Sequence, residues 1–305
     1  MCAEGGEVNV TGMTASSILG PDAIADLVDK TSPSLVRVDA GHRFGGTGTA
    51  WSDDLVVTAS HVVERDDDIE LGLDGDHTVK ASLVGRDETT NIALLRVQGG
   101  PKLTPATFRS LDDLRVGHFV VAVARPGKTV RASFGIVSTL GAEFQTRPGA
   151  RIARWLETDA DIAAGWSGGL LVDVEGRALG VNNRGLVRHA HLTVPHVTLE
   201  RVVLELKQHG KVRRGYLGVG VHRVALPEAI AKTVGHDSGA LVHAVEPKSH
   251  ADTAGVLLGD VIVSIDGAKV ESPWGLASVL RDKVDADIAI QVVRAGKLET
   301  LHAKT

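Results

Sequence analysis

A single cysteine, Cys2, occurs among the 305 residues. No disulfide can therefore close within the chain, and no multi-cysteine zinc site can form. Basic residues are not in excess: 33 Lys and Arg stand against 38 Asp and Glu, a net charge of −5. The electrostatic footprint of nucleic-acid binding is thus missing. Long apolar stretches are missing too. The longest uninterrupted run, Phe119 to Ala124, falls far short of the ~18 residues that span a bilayer, so no transmembrane segment is expected. Residues 1–20 carry no apolar stretch behind basic residues. The chain reads as cytoplasmic on that count, or as a cell-envelope protein if an export signal has been removed. Asp66-Asp67-Asp68 with Glu70 lacks the spacing of a calcium loop. Gly45, Gly46 and Gly48 lack a dinucleotide fingerprint. Neither a metal nor a cofactor is expected.

Glycine, by contrast, is abundant, with 35 residues, which points to many tight turns and many short strands. Residues 1–20 are small and polar and read as a flexible arm. Pro21-Asp22 opens a short helix in which Ile24, Leu27 and Val28 share a face. From Ser34 onward short β-branched runs recur: Leu35 to Val38, Leu55 to Thr58, Ile92 to Leu95, Phe119 to Val123 and Leu179 to Val181. Strands at this spacing imply a sandwich or barrel. Residues 198–209 form an amphipathic helix with Leu199, Val202, Val203 and Leu206 on one face and Gly210 as its C-cap. A smaller unit follows, with strands near Ala240–Val245, Asp260–Ile265 and Ile288–Val293. Ser272-Pro273 marks the start of its helix. The expected organisation is an arm over 1–20, one domain over 21–210 and a second over 211–305.

The peptide Gly165-Trp166-Ser167-Gly168-Gly169 is the most informative. Taken alone, a serine among glycines is either a flexible turn or a nucleophile loop. In a nucleophile loop, glycines let backbone N–H groups converge where an oxyanion would sit. A serine hydroxyl also needs a positioned base. His61, at the end of the apolar strand in Val56-Val57-Thr58-Ala59-Ser60-His61-Val62-Val63, supplies a candidate, although such a histidine could also be structural.

Together, the His61 segment, the stretch Asp87 to Leu95 containing Asn91, and Ser167 resemble the three catalytic segments of the HtrA-type serine proteases. Further matches are Thr31 to Val36, Gly46 to Ala50, Ser133 to Ser138, Thr158 to Ala160 and Lys211 to Val219. The resemblance covers about residues 21–305. It implies a mainly β fold, a trypsin-like double six-stranded β-barrel followed by a PDZ domain. It also implies an endopeptidase that cleaves unfolded or exposed polypeptides in protein quality control. Ser167 would be the nucleophile, His61 the base, and the N–H groups of Gly165 and Ser167 the oxyanion hole. Tyr216, Leu217, Gly218 and Val219 would receive a peptide's C-terminal carboxylate, the peptide adding as a strand. Val181 to Gly185 would line the primary specificity pocket. The family's homotrimer would have to do without N-terminal aromatics, using Ile18, Leu19, Ile24 and Leu27 instead.

One departure governs the expected activity. Asn91 stands where the family has aspartate, and an amide can hold the histidine in the wrong tautomer. Asp87 lies four residues away, roughly 13 Å along a strand, too far to substitute. The expected protease is therefore attenuated. The alternative is a catalytically silent chaperone, scaffold or peptide sensor using the same cleft and groove. Trp166, where the family has asparagine, is expected to narrow or cover the cleft.

Overall fold

The computed structural model describes residues 22–41, 45–75, 77–146, 149–187 and 190–305. The arm expected over 1–20, with Ile18 and Leu19, lies outside the described residues. The chain divides into two compact units after Val212.

In the first unit, helix α1 (Ala23–Thr31) leads into a closed six-stranded barrel. Its strands are β1 (Leu35–Asp39), β2 (Gly46–Ala50), β3 (Leu55–Ala59), β4 (Ile69–Gly72), β5 (Thr78–Asp87) and β6 (Ile92–Gln98). Around the barrel they run β1-β2-β3-β6-β5-β4. A second closed barrel follows, built from β7 (Phe119–Ala124), β8 (Arg131–Leu140), β11 (Leu156–Thr158), β12 (Leu170–Asp173), β13 (Ala178–Asn183) and β14 (Leu192–Pro195), in the order β11-β14-β13-β12-β7-β8. A small hairpin of β9 (Phe144–Gln145) and β10 (Arg151–Ile152) is inserted between β8 and β11.

The consecutive apolar residues in β3, β6, β7 and β12 have a physical reason. Successive side chains on a strand point to opposite faces, and here both faces are buried. In β3, Val56 points into the first barrel, while Leu55 and Val57 point outward. In β6, Ala93 and Leu95 point inward and Ile92 and Leu94 outward. The outward set meets Val121, Val123, Leu170 and Val172 of the second barrel in one shared core. The expected Leu27 and Ile24 are committed to that same core: Leu27 is buried in it and Ile24 packs against it. Leu27 therefore has little surface to offer a trimer contact, whereas Ile24 keeps part of its surface exposed.

Helix α2 (His196–His209) closes the unit, burying Leu199, Val202, Val203 and Leu206, with Gly210 at φ +69° as its cap. It starts two residues before the expected Thr198, because β14 runs through Pro195 straight into the first turn. There His196 stacks on Phe108 at 4.4 Å, with Trp51 at 5.5 Å. Burial lowers the His196 pKa, against an opposing pull from Glu200. The unfolded chain then binds this proton more readily than the native one. Stability should be full above about pH 6.5 and fall as pH drops through the native value. Thermal unfolding should show a melting temperature that declines on acidification. His196→Phe should flatten the decline, and an unchanged pH dependence in that variant would contradict this assignment.

The second unit is a mixed sheet-and-helix fold. Strands β15 (Val219–Ala225), β16 (Ser238–Val245), β17 (Val261–Ile265), β18 (Ala268–Lys269), β19 (Asp287–Arg294) and β20 (Lys297–Lys304) form one sheet in the order β15-β16-β17-β19-β20, with β18 beside β17. Helices α3 (Glu228–Val234), α4 (His250–Thr253) and α5 (Pro273–Leu280) accompany it. Ser272 caps α5 as its sequence suggests, accepting from the Gly275 N–H at 3.1 Å. Leu276 and Leu280 of α5 join Leu217, Ile262, Ile288 and Ile290 in the core.

Candidate active site

The barrel topology delivers four chain segments to one place. After β3 ends at Ala59, a single tight turn, Ser60–Val62, carries His61 out to an exposed position. Antiparallel pairing sets Ala59 opposite Ile92, so the residue before β6 lies beside that turn. That residue is Asn91, and its carbonyl accepts from the Ser60 N–H at 3.0 Å. The turn leading to Asn91 is organised by Asp87. Its carboxylate accepts from the Thr89 N–H at 3.2 Å, the Thr89 hydroxyl at 2.9 Å and the Thr90 hydroxyl at 2.9 Å. Asp87 is thus buried and occupied as a turn brace, as its distance along the strand requires. Asn91 closes the turn at φ +55°, a left-handed conformation that asparagine and aspartate tolerate better than most residues.

The Asn91 side chain lies against His61. Its Oδ1 accepts from the His61 backbone N–H at 3.0 Å and lies 3.1 Å from His61 Nδ1, while its Nδ2 lies 2.8 Å from the same ring nitrogen. On the other side, Nδ2 donates to Asn183 Oδ1 at 2.8 Å. Asn183 ends β13 and donates through its own Nδ2 to the Asn91 carbonyl at 2.9 Å. The next residue brings in the serine: the Arg184 N–H donates to Ser167 Oγ at 3.1 Å. Gly185 then passes over the pair. A Cβ there would lie 2.5 Å from Asn91 Nδ2 and 2.9 Å from His61 Nδ1, so only glycine lets the backbone approach this closely.

Ser167 is buried and precedes β12. The Gly165 carbonyl accepts from the Thr47 hydroxyl at 2.9 Å, and the Trp166 carbonyl accepts from the Gly169 N–H at 3.0 Å. In a planar trans peptide the carbonyl and the following N–H point opposite ways. The Ser167 N–H is therefore turned away from Gly169. Thr47 ties the loop to the first barrel a second time, its N–H donating to the Ser167 carbonyl at 3.3 Å.

Two expectations are corrected here. Trp166 does not cover the cleft: it is buried in the core of the second barrel with Leu171 and Leu179. Asn182 and Asn183 do not line an open specificity pocket either. Both are fully buried, Asn182 bonded to the Leu170 carbonyl and the Thr193 hydroxyl, and Asn183 to Asn91. Asn183 and Gly185, expected only as pocket lining, instead meet the side chains of Asn91 and His61, and Thr47, given no role by the sequence, ties down the serine loop. The adjacent asparagines after Val181 were the available signal, since two buried amides in a strand must find partners.

In the second unit, Leu217 is buried and its carbonyl accepts from the Ala251 N–H at 2.8 Å, while the Gly218 carbonyl accepts from the Glu246 N–H at 2.9 Å. By the same peptide-plane argument, the Gly218 and Val219 N–H groups face away from Ala251 and Glu246. Exposed Tyr216 donates its hydroxyl to Glu246 Oε2 at 2.5 Å, an interaction that raises the phenol pKa. Strand β15 lies at the end of the sheet order.

Two closed barrels that contribute His61 and Ser167 from opposite sides of a shared core define a trypsin-like peptidase fold, here followed by a PDZ fold. Residues 46–181 match the trypsin-like peptidase domain family and residues 215–305 the PDZ domain family. The serine protease Do-like HtrB of Bacillus subtilis is 31% identical over 337 residues, covering 97% of this chain and 74% of that protein. The periplasmic serine endoprotease DegP of Salmonella typhimurium is 33% identical over 259 residues, covering 81% of this chain. The chain spans about half, 53%, of the length of that DegP. A solved structure of the HtrA-type protease AlgW with decapeptide superimposes with a TM-score of 0.70 at 25% identity, over 92% of this chain and 97% of that one. The chain belongs to the HtrA-type, or Do-like, serine protease family. Among the described residues no helix is long and apolar enough to cross a membrane.

Proposed function

We propose that this chain is an attenuated serine endopeptidase of the HtrA type that cleaves unfolded or exposed polypeptides. Ser167 is the nucleophile, His61 the base, and the Gly165 and Ser167 N–H groups the oxyanion donors. One observation carries the reading: a continuous chain of contacts runs from His61 through Asn91 and Asn183 to the Arg184 N–H on Ser167 Oγ. Attenuation follows from Asn91. A carboxylate would accept from Nδ1 and stabilise the imidazolium, whereas an amide carries no charge, and its donor atom is the one nearer the ring. The PDZ unit captures peptide C-termini, the carboxylate meeting the Gly218 and Val219 N–H groups in the loop Tyr216 to Val219 and the peptide extending β15. The decapeptide in the AlgW structure supports peptide capture, and the periplasmic relatives support a place in the cell envelope. A homotrimer is the assembly proposed from family membership.

The contact between Asn91 Nδ2 and His61 Nδ1 also favours a second reading, a silent chaperone or peptide sensor with a protease-like cleft. Labelling with a fluorophosphonate and cleavage of casein separate the two. Slow labelling and slow cleavage, both absent in Ser167→Ala, are expected. No reaction at Ser167 even at high pH would give the silent reading the field.

A further inference from the structure

We propose that Asn183 is a positioning residue that makes this an amide site, matched to Asn91 and mismatched to the aspartate for which Asn91 substitutes. Two backbone groups beside Asn183 have a polarity that cannot change. Asn183 Nδ2 lies 2.9 Å from the Asn91 carbonyl oxygen, which only accepts, and Asn183 Oδ1 lies 3.1 Å from the Gly185 N–H, which only donates. These two backbone partners fix which end of the Asn183 amide is which. Its oxygen therefore faces the side chain of residue 91, and that side chain must offer a donor. Asn91 does so through Nδ2 at 2.8 Å, leaving its Oδ1 for the His61 backbone N–H at 3.0 Å. Every partner is complementary, with no freedom to invert either amide.

The second hydrogen of Asn91 Nδ2 then falls to His61 Nδ1, 2.8 Å away. An Nδ1 that accepts has its proton on Nε2, and that tautomer has no lone pair on Nε2 with which to take the serine proton. The pair thus sets the resting tautomer of His61 through Asn91.

Restoring the carboxylate alone breaks the match. With Asn91→Asp, an acceptor replaces a donor opposite Asn183 Oδ1 in a buried site. Inverting Asn183 does not cure this, because its oxygen would then face the Asn91-position carbonyl and its NH2 the Gly185 N–H. A hydroxyl at 183 escapes the conflict, since it can donate to a carboxylate and accept from Gly185 at once.

The test compares the full chain with Asn91→Asp, Asn183→Ser and the double variant, each checked for folding by thermal unfolding. The first readout is NMR titration of the carboxyl introduced at position 91. It should titrate about one pH unit higher in Asn91→Asp than in the double variant. Equal values would overturn the proposal. The second is Ser167-dependent kcat/KM on casein, with its pH profile. The double variant should exceed Asn91→Asp by about tenfold, the weight of one unsatisfied buried hydrogen bond, and its acidic limb should lie lower. Asn183→Ser alone should stay far below the double variant, because Asn91 still carries no charge; a gain equal to that of the double variant would overturn the proposal. Only this kinetic arm rests on the protease reading. If neither variant cleaves while the titrations still differ, that reading fails and the Asn183 pairing stands.

Discussion

Combining Asn91→Asp with Asn183→Ser is expected to raise casein cleavage by as much as about 10⁴ over the unaltered chain. In trypsin-like enzymes the change from carboxylate to amide at this position lowers kcat by about that factor, with the geometry left intact. The loss corresponds to roughly 5.5 kcal/mol of transition-state stabilisation. Two effects compose it. The imidazolium formed as Ser167 loses its proton would have no counter-charge, and the resting ring carries its proton on the wrong nitrogen. Both act through Nδ1, 2.8 Å from Asn91 Nδ2. The rest of the machinery is in place to profit from the change. Ser167 Oγ is held by the Arg184 N–H, and the loop is tied to Thr47 at two points. Steady-state kinetics against Ser167→Ala as the blank provides the measurement. A double variant no faster than the unaltered chain would show that Asn91 is not what limits this site.

Gly168→Ala is expected to lower stability by about 2–5 kcal/mol and to abolish labelling of Ser167. The glycine sits at φ +94°, and a Cβ there would be driven into the Thr47 carbonyl oxygen, deep inside contact distance. A left-handed backbone costs an ordinary residue about 1–2 kcal/mol, and overpacking a well-filled site adds about 1–3. Relief would have to move Thr47, whose carbonyl also accepts from the Thr58 hydroxyl at 2.7 Å and whose own hydroxyl holds the Gly165 carbonyl. The nucleophile loop and the strand before His61 would shift together. Gly75→Ala serves as a control: it shares the positive φ, at +63°, but a Cβ there meets nothing within 4 Å. A melting temperature for Gly168→Ala no lower than that control would sink the steric account.

How much of this was legible beforehand depended on the range of the interaction. The helix cap at Gly210, the Ser272-Pro273 helix start and the strand cores are local patterns, and each appears where periodicity and turn chemistry placed it. Trp166 illustrates the opposite case. Its neighbours in sequence are glycines and a serine, so nothing local shows that the ring is buried among residues of β12 and β13. Leu27 was a candidate trimer contact by resemblance to the family, and the shared inter-barrel core buries it.

By itself the amino-acid sequence determined the β-rich class, the absence of disulfides, the glycine-framed serine and strand-end histidine, and the asparagine that replaces the family's aspartate. All of these depend on residue identity and short spacing. Only the tertiary structure decided what that asparagine does. Asn91 and Asn183 are 92 positions apart, and closure of two barrels against one core brings their amides into contact. Which end of each amide faces which partner is set by backbone groups of Asn91 and Gly185, whose donor and acceptor character never varies. A hydrogen-bond direction of that kind is a property of the folded cleft, because it requires groups that the chain alone leaves far apart.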